Sequence, residues 1–361
     1  MSYYYVLGHS NNPIVKEYYE KYFQKLREMF RNLDFSWDIK RDFFKLTEER
    51  QKHFLSKADI LTLIHYIGEF WRIELTTQLE KEFQYFLDGQ EDKCTYSLGN
   101  TIPWTNIKLT IFDNNPQNDK SNHPNHKAWT MITWWERSEE EWLWVYKKSL
   151  TLLKDVNPEF YNELNFIIQK IVPFGTSKRV HNSCSLRESI GVLYLWYTID
   201  QDQPELNILE AIIHESSHNK LNLIMQSQKL ILNDKTLKYY SPYRPDARHI
   251  YGVYLWVHAI VPTIHTMIQA VEKWYVTETW WLEKILLYHL KNKIGMKVLR
   301  KYAKCSELWY TIMDELDEVM KLCDSMVAKS VKFKGVNIQN VQIQAKNHFL
   351  EVQKNYRHLE Y

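Results

Sequence analysis

Two imidazoles and a carboxylate stand in the pattern His214-Glu215-x-x-His218. On an α-helix, residues four apart lie about 40° apart around the axis and roughly one turn along it, so both imidazoles can meet one metal ion. The surrounding residues favour a helix. Pro204 suits a first-turn position, Glu205 complements the positive end of the dipole, Leu206, Leu209, Ile213 and Leu221 fall at helical spacing, and no glycine interrupts the run. The same pattern also arises by chance on ordinary helices. The apolar run Ala211-Ile212-Ile213 weighs against chance, because a buried helix would have to desolvate these polar groups, which are normally buried only when paired or ligated.

A metal held by two histidines of one helix needs a third ligand from elsewhere. Downstream, His249, His258 and His265 fall in one helical stretch, and His258, flanked by Val257 and Ala259, is the favoured candidate. The competing reading of His258 is a core histidine bonded to a backbone carbonyl. His123 and His126 lie in an Asn- and Pro-rich stretch and read as surface residues. Between the proposed metal helix and His249 runs Tyr239-Tyr-Ser-Pro-Tyr-Arg-Pro-Asp-Ala-Arg248. Arg244 and Arg248 there suit a bidentate fork on a carboxylate. Arg248 is preferred, since Arg244 lies between two prolines and could instead brace the loop. Upstream, Ser183 and Ser185 supply small polar groups and are candidate substrate contacts.

The elements that must position these groups read as mainly α. Aromatic residues make up 15% of the 361, and Gly (9) and Pro (10) are scarce, which favours helices with large apolar faces over a turn-rich sandwich. Helices are expected at 13–32, across 47–87 with a break near Ser56 and Asp59 as a cap, from Ser138, and from Pro158 with Asn157 as its cap. Further helices are expected at 249–271 with a kink at Pro262, and at 278–300, 305–330 and 338–357, the last on the surface. Short strands are expected within 101–112 and at Gly191–Thr198, with a turn opening at Pro173. The expected architecture is a multi-helix single domain with a short β element and the His-Glu-x-x-His helix in its core. Residues 1–100 form an N-terminal helical scaffold and 101–361 a metal-binding catalytic region. A net charge of +2 argues against a dedicated nucleic-acid binder. The four cysteines form no C-x-x-C pair, and no run approaches the roughly 18 apolar residues of a membrane span, so a cytoplasmic protein with free thiols is expected.

Over about residues 180–270 the chain resembles the His-Glu-x-x-His-type, 2-oxoglutarate-dependent peptide β-hydroxylases that modify ribosomally made peptides. The resemblance rests on the order of Asn-Ser-Cys-Ser-Leu-Arg-Glu-Ser-Ile-Gly (182–191), His-Glu-Ser-Ser-His-Asn-Lys-Leu-Asn (214–222) and the 239–248 block. Many members have Trp where Tyr243 stands, and a His-Gly-aromatic segment about seven residues after the second arginine, where this chain has Leu255. The resemblance implies Fe(II) on His214, His218 and a third ligand, 2-oxoglutarate bound with help from Arg248, Arg244 and Tyr243, O2 as cosubstrate, and a precursor peptide as partner. Spacing alone favours a zinc peptidase, in which Glu215 would activate a metal-bound water. A third reading is a non-catalytic peptide-binding protein.

Overall fold

Apolar side chains recur at helical spacing through most of the chain, and helices dominate accordingly. A computed structural model describes residues 3–34, 37–110, 113–115, 139–174, 183–196 and 202–356. Among the described residues there are twelve α-helices and a small four-stranded sheet. No helix is long and apolar enough to cross a membrane. The chain divides into two compact units. The N-terminal helices belong to the same unit as the His-Glu-x-x-His helix.

The sheet unit comprises Asn11–Leu152 and Asn162–Ser227. It begins with α1 (Pro13–Asn32), where the Asn12 side chain accepts from the Ile14 N–H and Pro13 opens the first turn. Val15, Tyr18, Tyr22, Phe23, Leu26 and Phe30 bury one stripe of that helix, each contributing roughly 1.5–3 kcal/mol. Then come α2 (Trp37–Lys45), α3 (Glu48–Leu55), α4 (Ala58–Phe70) and α5 (Thr76–Leu87). The break near Ser56 is present, but Asp59 does not cap α4. It lies inside the first turn, fully buried, with its Oδ2 2.5 Å from the Lys170 Nζ. Asp59 is thereby committed to a buried ion pair, in which loss of either partner would leave an uncompensated charge.

The sheet runs β1 (Asn100–Thr101), β2 (Lys108–Leu109), β3 (Lys170–Phe174) and β4 (Val192–Trp196), in that spatial order. β1 and β2 pair antiparallel; β2–β3 and β3–β4 are parallel. The strand expected within 101–112 is therefore two two-residue strands. β3 occupies residues where a turn was expected from Pro173, and its register sets Val172 opposite Tyr194. Helices α6 (Glu139–Val156) and α7 (Pro158–Ile167) separate β2 from β3. Asn157 does cap α7, accepting from the Phe160 N–H at 3.1 Å. Gly191 precedes β4 at φ +90°, a left-handed conformation that favours glycine. Helix α8 (Pro204–Met225) closes the unit, packed on β4 and α1.

The C-terminal unit comprises Met1–Ser10, Leu153–Tyr161 and Gln228–Tyr361. Its helices are α9 (Ile250–Glu272), α10 (Thr279–Tyr302), α11 (Glu307–Lys329) and α12 (Ile338–Asn355). α9 packs on α10 and α11, and α12 packs on α10. The expected surface helix at 338–357 thus buries one face through Val341, Ala345, Phe349 and Val352. α9 continues as a helix through Pro262. A short N-terminal strap is stitched into this unit, since Glu315 Oε2 accepts from the Tyr5 and Val6 N–H groups.

Candidate metal centre

Helix α8 is buried nearly all round, and several polar side chains anchor it. Asn219 is the central one: its Oδ1 accepts from the Gly191 N–H at 2.7 Å, and its Nδ2 donates to the Val192 carbonyl and to Ser185 Oγ. One side chain thereby fixes the register of α8 on the start of β4. The next residue, Lys220, is 3% exposed and pairs with Glu163 of α7 at 2.9 Å, while Asn12 donates to the same carboxylate. At the C-terminal end Gln226 donates to the Arg187 carbonyl. At the other end Ser149 of α6 donates to the Glu205 carbonyl. Ser216 and Ser217, inside the motif, spend their hydroxyls on the carbonyls of Ile212 and Ile213 one turn back.

On this fixed helix His214 and His218 turn towards each other, with Nε2 atoms 3.1 Å apart and ring planes nearly perpendicular. Burial holds His218 at about 4, so its ring is neutral at pH 7, the form that ligates a metal. Its Nδ1 is sealed from solvent and has no hydrogen-bond partner. Glu215 is 3% exposed; burial pushes its carboxyl up to about 8, and its Oε2 is also unpartnered. Cys184, bridged to Tyr194 through backbone hydrogen bonds, lies within the field of Glu215. Desolvation, with the charges of Glu215 and Asp113, raises its thiol pKa well above the ordinary value, so it stays protonated.

The pair fits a metal ion at two positions. With metal–nitrogen bonds of about 2.1 Å, adjacent octahedral corners lie about 3.0 Å apart and tetrahedral corners about 3.4 Å. The observed separation of 3.1 Å is nearer the octahedral value. Among the described residues, no group of three His, Cys, Asp or Glu side chains could hold a metal.

The other predicted site residues have their own settings. Ser185 is the Asn219 partner just described, and Ser183 stands beside Cys184. In the C-terminal unit His258 is fully buried and donates its Nε2–H to the Tyr5 carbonyl at 3.2 Å. That is the core-histidine arrangement. His249 is the N-cap of α9 and donates from Nδ1 to the Leu237 carbonyl. His265 is buried, which lowers it to about 4. Tyr243 stacks on Trp256, and its hydroxyl lies 3.0 Å from the Tyr288 carbonyl and 2.9 Å from Asn292 Oδ1. Arg244 and Arg248 both face Asp246. His123 and His126 lie outside the described residues.

Sequence reasoning missed Asn219, the Lys220–Glu163 pair and the Lys170–Asp59 pair. A signal was present: Asn219 and Lys220 continue the polar run of the motif into a helix flanked by apolar residues, and a polar group buried there needs a partner. Compared with models of known protein families and with curated proteins, the chain matches none.

Proposed function

We propose that the chain is an Fe(II)- and 2-oxoglutarate-dependent peptide hydroxylase that adds oxygen to a β-carbon of a ribosomally made precursor peptide. The observation that carries this is the pair of facing imidazoles on one anchored helix, at a separation suited to adjacent octahedral corners. The choice of cosubstrate and peptide rests on the resemblance of the three ordered blocks. Iron held there would supply oxidation of a C–H bond by O2, with 2-oxoglutarate converted to succinate and CO2. The protein's own contribution is to hold His214 and His218 in register through Asn219 and Lys220, and to keep water from Glu215. Arg248 and Arg244, on the C-terminal unit, carry the planar forks that suit a carboxylate such as those of 2-oxoglutarate.

One observation favours a second reading. Glu215 is beside the first histidine, buried and incompletely bonded, as a general base for a zinc-bound water would be. Intact-mass analysis of a candidate precursor peptide separates the two. After incubation with the full chain, Fe(II), 2-oxoglutarate and air, the hydroxylase reading expects an uncut peptide heavier by one oxygen atom. Peptide fragments formed with zinc, without 2-oxoglutarate, would establish the peptidase.

A further inference from the structure

The Tyr239–Arg248 loop of the C-terminal unit is closed and rigidly mounted. Tyr239 and Arg248 exchange backbone hydrogen bonds of 2.6 and 2.9 Å, joining the two ends of the loop. Tyr243 is fixed on α10 and Trp256, and Tyr240 hydrogen-bonds His348 of α12 through its hydroxyl. Pro242 and Pro245 stiffen the segment between them. The two guanidinium groups therefore start from fixed backbone positions. They share one carboxylate, with Asp246 Oδ2 2.9 Å from the Arg248 Nε and Oδ1 3.8 Å from the Arg244 Nε.

This sharing is incomplete. Both Nε atoms are sealed from solvent, yet neither makes a hydrogen bond: the Arg244 contact is too long, and the Arg248 contact is short but poorly aligned. Asp246 lies close enough to neutralise these arginines but hydrogen-bonds neither Nε, short of the bidentate geometry that guanidinium favours. All three side chains are about two-fifths exposed, at 41%, 39% and 42% for Arg244, Arg248 and Asp246, so an outside anion has access.

We propose that Asp246 is a built-in competitor at a carboxylate site. It takes, from within the chain, the place of a ligand carboxylate between Arg244 and Arg248, and an external short-chain dicarboxylate binds by displacing it. The displaced Asp246 turns to solvent, and both Nε donors gain an acceptor free to align. The assignment of a dicarboxylate rests on the hydroxylase reading, in which 2-oxoglutarate is the ligand; the competition rests on the loop alone.

Affinity for glutarate, which lacks the 2-oxo group and so needs no metal, tests this on the metal-free full chain by calorimetry. Removing a unit charge about 4 Å from a bound anion should strengthen binding about fivefold. Asp246→Asn is expected to show that gain with an unchanged melting temperature, Asp246→Ser is expected to repeat it, and Arg248→Ala should abolish binding in either background. Unchanged or weaker binding in both Asp246 variants overturns the competition, as does the absence of glutarate binding throughout. Succinate formation by the Fe(II)-loaded wild type alongside an unchanged Asp246→Asn affinity would remove the competitor and leave the hydroxylase reading intact. Tighter glutarate binding in Asp246→Asn without succinate formation would do the reverse.

Discussion

Asn219 bonds three groups at once, and its removal should show what keeps the paired histidines in place. Asn219→Ala leaves the Gly191 N–H and the Val192 carbonyl without that partner in a buried setting. The expected cost is roughly 3 kcal/mol of stability, read as a fall in the urea midpoint at constant slope. At His258 the structure shows a contact that fits the competing reading of the sequence, a buried imidazole bonded to a backbone carbonyl. Its apolar neighbours and its spacing from Arg248 favoured a metal ligand, yet those same neighbours suit a buried imidazole whose partner comes from a distant stretch of chain. That partner is the Tyr5 carbonyl, 253 positions away in sequence, which no local pattern could reveal. His258→Ala should lower stability by roughly 3 kcal/mol through a cavity and an orphaned carbonyl, while leaving iron content unchanged. Loss of iron from a variant that still melts like the wild type would restore His258 as a ligand.

Helices were more legible than strands, for a physical reason. α1, α8 and α9–α12 carry their own periodicity and boundary residues, such as Asn12-Pro13 and the proline that opens α8, so one segment suffices to read them. β3 shows a lysine and a proline, and reads as a strand only once Lys170 is known to be buried against Asp59. Ion pairs of this kind join α8 to its surroundings as well. Lys220→Ala should cost about 3–5 kcal/mol, because it strands the buried Glu163 carboxylate. The double change Lys220→Met with Glu163→Leu should recover most of that loss; no recovery in denaturant melts would show that Asn12 and the backbone depend on the charge itself. In the C-terminal unit, burial holds both His265 and His348 at about 4. Their folded values lie below the unfolded value of about 6.5, so protonation favours the unfolded chain. The stability these two histidines contribute should be complete above about pH 6.5 and fall as pH drops from there towards 4, and His265→Leu should make the melting temperature less dependent on pH across that window. An equally steep decline in His265→Leu would assign the loss to other groups.

At the scale of the whole molecule, the chain builds two units and returns to the second from both of its ends. The strap at residues 3–10 and helices α9–α12 share one unit, while α1–α5, the sheet and α8 share the other. That interleaving could not be read from composition, because no Gly-, Pro- or Ser-rich linker marks a boundary. The helical class was legible, and so was the residue pair on α8; the supports of that pair are long-range and were not. Metal content and oxygen-dependent succinate release, measured together on the Fe(II)-reconstituted full chain and on His214→Ala and His218→Ala, test the central claim most directly. The account predicts one iron per chain and succinate formed from 2-oxoglutarate in the wild type, and neither in the two variants, with helical content unchanged. Full iron occupancy and undiminished succinate in either variant would contradict it.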